Sequence, residues 1–176
     1  GIESNKDFSI DMDILINKAK EINPKIIFIC NPNNPTGYLI AKDEIIKLLD
    51  NVDSIVVVDE AYMEFAEGSM VDEITKYDNL IVLRTLSKAL GLAAIRLGYM
   101  ASNQDIINII NKVKSPYNLN SISQFIGIKA LQEKDKIFKY VEEVKLERDY
   151  LYNLLVQLPI DVYKPNGNFI LFKSTV

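Results

Sequence analysis

The 176-residue sequence contains no histidine. Within it, a Ser-His catalytic pair and a His-based zinc site are excluded. Proton transfer therefore falls to Lys, Tyr, Asp or Glu. Cys30 is the one cysteine, which excludes an internal disulfide and fits a reducing, cytoplasmic setting. No apolar run approaches the roughly 20 residues that cross a bilayer, so no membrane partner is expected. Basic charge is not in surplus: 20 Lys and Arg stand against 24 Asp and Glu, a net charge of −4. Little is left to hold a phosphate backbone, and nucleic acid is not an expected partner. No Gly-x-Gly-x-x-Gly follows an apolar run, which argues against dinucleotide binding.

What is present is ordinary for a globular domain, with 48% hydrophobic and 25% charged residues. The first residue is Gly1, and Asn168–Val176 reads as a strand that stops without a following turn. Both ends predict a piece of a longer protein. Asp11 to Lys20 predicts a short amphipathic helix capped by Asp11. Lys25–Cys30 (KIIFIC) predicts a strand buried on both faces. A loop, Asn31–Gly37 (NPNNPTG), follows it. Ala41–Asn51 has a helical pattern, and Ser54–Val58 and Leu80–Leu83 read as further buried strands. A fourth strand is expected within Arg96–Ala101, because Gly98, Tyr99 and Met100 follow a helix-like run without a long crossover. Helices follow at Gln104–Lys112, Ser121–Gln132 and Lys134–Leu158, the second preceded by a break at Pro116. Short strands are expected at Asp161–Tyr163 and Asn168–Lys173, around a Pro165-Asn166-Gly167 turn.

Alternating strands and helices give an α/β layer with a mostly parallel sheet, and the last part starts a smaller α+β lobe. Ligands gather at the carboxyl ends of strands in such sheets. Three strand ends carry polar groups there: the Asn31 loop, Asp59, and Thr85–Lys88. Lys88 is placed for a bond with a carbonyl cofactor, and Thr85, Ser87 and Arg96 suit a phosphate. Asp59 is placed to pair with a pyridinium nitrogen, while Tyr62 and Asn34 offer hydrogen bonds to a planar ligand. Each residue also has a plainer reading. Lys88 could sit in a surface loop, Asp59 could cap the next segment, and Tyr62 could simply pack. Asn34 could only shape a turn, and Arg96 could form a surface ion pair. Glu60, Glu64 and Glu67 have no metal-ligand spacing and are read as solvated or structural.

The three blocks, NPNNPTG (31–37), DEAY (59–62) and TLSKALGLAAIRLGY (85–99), together resemble the fold-type I, pyridoxal-phosphate-dependent aminotransferases. The segment PYNLNS (116–121) resembles the histidinol-phosphate aminotransferases among them. The resemblance implies part of the large, mostly parallel-sheet domain over 1–132, and a connecting helix with the start of a small C-terminal domain over 133–176. It implies Lys88 as the residue that bonds the pyridoxal 5'-phosphate aldehyde and then shuttles the proton. Asp59 pairs with the ring nitrogen, Tyr62 and Asn34 with the phenolic oxygen, and Thr85, Ser87 and Arg96 with the phosphate. The implied reaction is amino transfer between histidinol phosphate and the glutamate/2-oxoglutarate pair, in histidine biosynthesis, by a cytoplasmic homodimer. A threonine-phosphate-type decarboxylase, another aminotransferase on the same scaffold, and a non-catalytic domain are the alternatives. Ala93-Ala94 stands where the family has Ala-Gly. The family's glycine-containing phosphate loop, stacking aromatic, partner-subunit tyrosine and substrate-binding arginine have no counterpart here. The chain alone is therefore expected to bind cofactor weakly or not at all and to be inactive.

Overall fold

A computed structural model describes residues 1–174. Its centre is a four-stranded sheet made of β1 (Ile26–Cys30), β2 (Ile55–Asp59), β3 (Leu80–Thr85) and β4 (Gly98–Ser102), in that spatial order. β1, β2 and β3 run parallel; β4 returns antiparallel against β3. The three parallel strands are the β-branched apolar runs expected from the sequence. A parallel neighbour needs a crossover of a dozen or more residues, usually helical. The twelve residues between β3 and β4 form no crossover helix, only turns and a short 3₁₀ turn at Ala93–Ile95, and β4 returns antiparallel beside β3.

Helices α1 (Met12–Ile22) and α2 (Lys42–Leu49) cover one face of the sheet. Asp11 caps α1 as expected, accepting the Ile14 amide at 3.1 Å. Met12, Ile16, Ile45 and Leu48 pack there on Ile27, Ile29, Val56, Val58, Leu80 and Val82. On the other face, α3 (Gln104–Val113) covers Val57 and Ile81 through Ile106. α3 does not reach β1. Ile26 is 50% and Phe28 70% exposed, so the expectation that β1 is buried on both faces is corrected. An unbroken apolar run records the capacity for burial, not which neighbour supplies it.

Asn120 caps α4 (Ser121–Gln132), and α5 (Lys134–Leu155) follows directly. α5 ends three residues earlier than the apolar pattern suggested. β5 (Asp161–Val162) and β6 (Phe172–Lys173) form an antiparallel two-stranded sheet, shorter than the expected strands. Of the expected terminal strand, Thr175 and Val176 lie outside the described residues. Among the described residues, no helix is long and apolar enough to cross a membrane.

Candidate active site

The parallel register sets Cys30 opposite Asp59, and Asp59 opposite Leu83. The loops leaving β1 and β2 therefore start at one level, and the loop leaving β3 starts two residues further on, after Thr85. The first is pinned at its base by Asn31, whose buried amide accepts from Ile40 N at 2.8 Å and donates to Ile40 O at 3.1 Å. Gly37 N donates to Asn33 O and Asn33 N to Tyr38 O, both at 2.8 Å. Gly37 takes φ +73°, the left-handed turn that glycine adopts without strain. The peptide bonds Asn31-Pro32 and Asn34-Pro35 are cis. Asn34 is left at the exposed tip.

The loop after β2 brings Tyr62 to that tip. Asp59 Oδ1 accepts the Ala61 amide at 3.0 Å, and a 3₁₀ turn at Met63–Phe65 follows. Asn34 Nδ2 then donates to the Tyr62 hydroxyl at 2.6 Å. A hydroxyl that accepts keeps its own proton to donate elsewhere. Lys88 Nζ lies 5.1 Å from the centroid of the Tyr62 ring. Residues from three strand ends, Asn34, Tyr62 and Lys88, thus meet. Lys88 is exposed: Leu86 and Ala89 take the buried positions after β3, and the lysine between them points outward. Its ammonium therefore stays in contact with water, as a surface-loop position would have it.

Thr85 and Ser87 are joined, with Ser87 N donating to Thr85 Oγ1 at 3.1 Å. The Leu97 carbonyl accepts from Leu86 N at 3.1 Å and from Thr85 Oγ1 at 3.4 Å, so the residue after Arg96 closes this loop. Arg96 itself is exposed and donates to Ala93 O at 3.1 Å rather than to Thr85 or Ser87. Cys30 is exposed at the end of β1, and partial desolvation, then the Asp59 charge across the β1–β2 pair, push its thiol above the ordinary value. A cavity of about 510 Å³ lies behind the end of β3, lined by Arg84, Thr85, Leu86, Leu90 and side chains of α4 and α5. Lys88 and Asp59 do not line it.

Glu60 is fully buried, which corrects its reading as a solvated residue and upholds the structural one. Its carboxylate accepts from Arg84 Nη2 at 2.8 Å, Ser69 Oγ at 2.8 Å and Met70 N at 2.6 Å. Arg84 Nη1 also donates to Glu64 at 2.8 Å. This cluster ties the residue after Asp59 to the residue before Thr85. Sequence reasoning missed Arg84, because nothing local marks which strand-end cation faces Glu60. It also missed contacts from the far end of the chain. Asn166 Nδ2 donates to Gly37 O at 2.7 Å, and the Phe169 ring meets Tyr62 edge-on at 5.1 Å. The only signal there was a Pro-Asn-Gly turn.

The family aminotransferase class I and II matches residues 2–175. Histidinol-phosphate aminotransferase of Clostridium novyi is 48% identical over 94% of this chain and 47% of its own length. The chain spans about half the length of the curated relatives it matches. The solved histidinol-phosphate aminotransferase of Clostridium acetobutylicum superposes with TM-score 0.88 at 28% identity, over 98% of this chain and 54% of that one. The Sinorhizobium meliloti histidinol-phosphate aminotransferase, solved in complex with pyridoxal-5'-phosphate, superposes at 0.87 with 22% identity, over 97% and 48%, and shows the shared fold.

Proposed function

The chain belongs to the class I and II aminotransferases, and from that premise we propose that it carries the lysine side of a pyridoxal-phosphate site. The observation that carries this is the meeting of Asn34, Tyr62 and Lys88 above the carboxyl ends of parallel strands. The donor set fits the cofactor. Tyr62 keeps a proton to give to a phenolic oxygen, and Asp59 has one carboxylate oxygen beyond the Ala61 amide for a ring nitrogen. Lys88 is open to an aldehyde, and Thr85, Ser87 and Arg96 supply hydroxyls and a cation for a phosphate. When bound, the cofactor supplies an electron sink that makes a substrate carbon–hydrogen bond acidic. The protein's own part is to hold the ring, keep its nitrogen protonated through Asp59, and move the proton at Lys88 Nζ.

The full reaction is proposed for a protein of the relatives' length. It exchanges an amino group between histidinol phosphate and the glutamate/2-oxoglutarate pair, in histidine biosynthesis. Support comes from the relatives at 42–48% identity that bear this name. We read residues 1–132 as part of the cofactor-binding domain and 133–176 as the connecting helix and the start of a smaller one. A cytoplasmic homodimer is the expected assembly. α4 leaves Ile122, Phe125 and Ile128 exposed at successive turns, an apolar row for a partner surface to cover. The chain by itself should not turn over, since positioning supplies roughly 7–11 kcal/mol of such barriers and half of the relatives' length is not in it.

The test is titration with pyridoxal phosphate, borohydride reduction and peptide mapping, on this chain and on the protein at full length. Label confined to Lys88 at full length, with glutamate and a ketone formed from histidinol phosphate and 2-oxoglutarate in the reverse assay, is the expected result. Label scattered over surface lysines at full length would refute the site. Carbon dioxide released from a phosphorylated amino acid, in place of amino transfer, would refute the reaction.

A further inference from the structure

Asn34 and Tyr62 are the two side chains whose hydrogen bond defines the site, and neither is held by its own loop alone. Asn34 sits at an exposed tip, with the loop bolted at its base by Asn31. Between base and tip, the Gly37 carbonyl takes a hydrogen bond from Asn166, in the turn before β6. That turn is pressed close. A Cβ added at Gly37 would lie 3.3 Å from Pro165 Cα, and Pro165 and Gly167 are buried. The same turn reaches the second loop. The Phe169 ring stands on the Tyr62 ring at an interplanar angle of 84°. Arg148 of α5 uses one nitrogen to donate both to Phe65 O, three residues after Tyr62, at 3.0 Å and to Gly167 O at 3.2 Å. Both halves of the Asn34–Tyr62 pair are thus gripped by one turn.

We propose that Asn166 is a positioning residue, which holds the 31–37 loop through the Gly37 carbonyl and so sets the Asn34 amide against Tyr62, with Phe169 seating the tyrosine ring. The inference rests on the reading of Asn34 and Tyr62 as donors to the cofactor's phenolic oxygen. Donors at that oxygen stabilise its negative charge and weaken its hold on a neighbouring proton. A loosened pair therefore raises the pH midpoint of the bound cofactor's absorption band.

The experiment is a spectroscopic pH titration of the full-length protein loaded with pyridoxal phosphate. The parent is compared with Asn166→Ala, with the near-isosteric Asn166→Asp, and with Tyr62→Phe. Asp cannot donate to Gly37 O, so both Asn166 variants should shift the midpoint upward, by on the order of half a pH unit or more. Tyr62→Phe should shift it further, and adding Asn166→Ala to Tyr62→Phe should add little, as expected for residues acting through one another. Circular dichroism confirms that each variant is folded. Unchanged midpoints in both folded Asn166 variants, beside a shifted Tyr62→Phe, would overturn the positioning role and leave the site reading intact. Absence of a cofactor band in the parent would overturn the site reading, and this inference with it.

Discussion

Replacing Arg84 by Met tests the buried cluster that joins the ends of β2 and β3. Arg84 balances two carboxylates, Glu60 and Glu64, each at 2.8 Å. Glu60 is 0% exposed, so water cannot take over when the cation goes. Removing one partner of a buried ion pair costs about 3–5 kcal/mol. Two features place Arg84→Met near the lower figure. Glu60 keeps its bonds from Ser69 and Met70 N. The parent cluster is also imperfect, since Glu64 Oε2 and Arg84 Nε are buried without a hydrogen-bond partner among the described residues. With a urea m-value of about 2 kcal/mol/M, a loss of about 3 kcal/mol lowers the midpoint by about 1.5 M. Glu60→Gln should cost less, because Arg84 keeps Glu64 and the glutamine oxygen still accepts from Met70 N. The double variant should be more stable than Arg84→Met alone, because one of the two stranded carboxylates is gone. Urea unfolding followed by circular dichroism reads all three. A double variant no more stable than Arg84→Met would refute the claim that uncompensated buried charge sets the cost.

Two other expectations follow from charge. The Lys42 hydrogen bond first, and that of Lys76 second, hold the Glu73 carboxyl below its ordinary value of 4.5. A carboxylate depressed in the folded state contributes stability above its unfolded value and loses it as pH falls through the folded one. Lys42→Met should therefore shrink the acid-induced fall in melting temperature below pH 4.5; an unchanged fall would refute the assignment. Across the β1–β2 pair, Asp59→Asn should speed alkylation of Cys30 at fixed pH, because it removes a charge that disfavours the thiolate. Partial desolvation is the larger cause of the raised thiol value, so the gain should be modest, and no gain would count against the β1–β2 neighbourhood.

Much of this architecture could be read from the chain because its signals are local. IIFIC, IVVV and LIVL are β-branched apolar runs that few other structures accommodate, and Asp11 and Asn31–Gly37 carry their caps and turns within a few residues. The blocks around Asn34, Asp59 and Lys88 were likewise legible, because each sits just past such a run. What stayed hidden depends on residues far apart in sequence. Nothing near Glu60 says that Arg84, on the next strand, will bury with it. Nothing near Phe28 says that α3 will stop short of β1. The exposure of Lys88 was one of two readings left open for a related reason: which of Leu86, Lys88 and Ala89 turns inward depends on the bend after β3, not on residue type alone.

The Asn166–Gly37 bond joins residues 129 positions apart. A ribosome adding about 5–20 residues per second delivers Asn166 roughly 6 to 26 s after Gly37. β2 and β3 are synthesised within that interval and become available to pair with β1 before Asn166 arrives, so until then the loop bearing Asn34 lacks its clasp. A nascent chain can therefore have all of its parallel strands before the Asn34 loop gains this long-range contact, so that on the positioning role proposed for Asn166 the Asn34–Tyr62 pair would be set only after synthesis through the turn before β6.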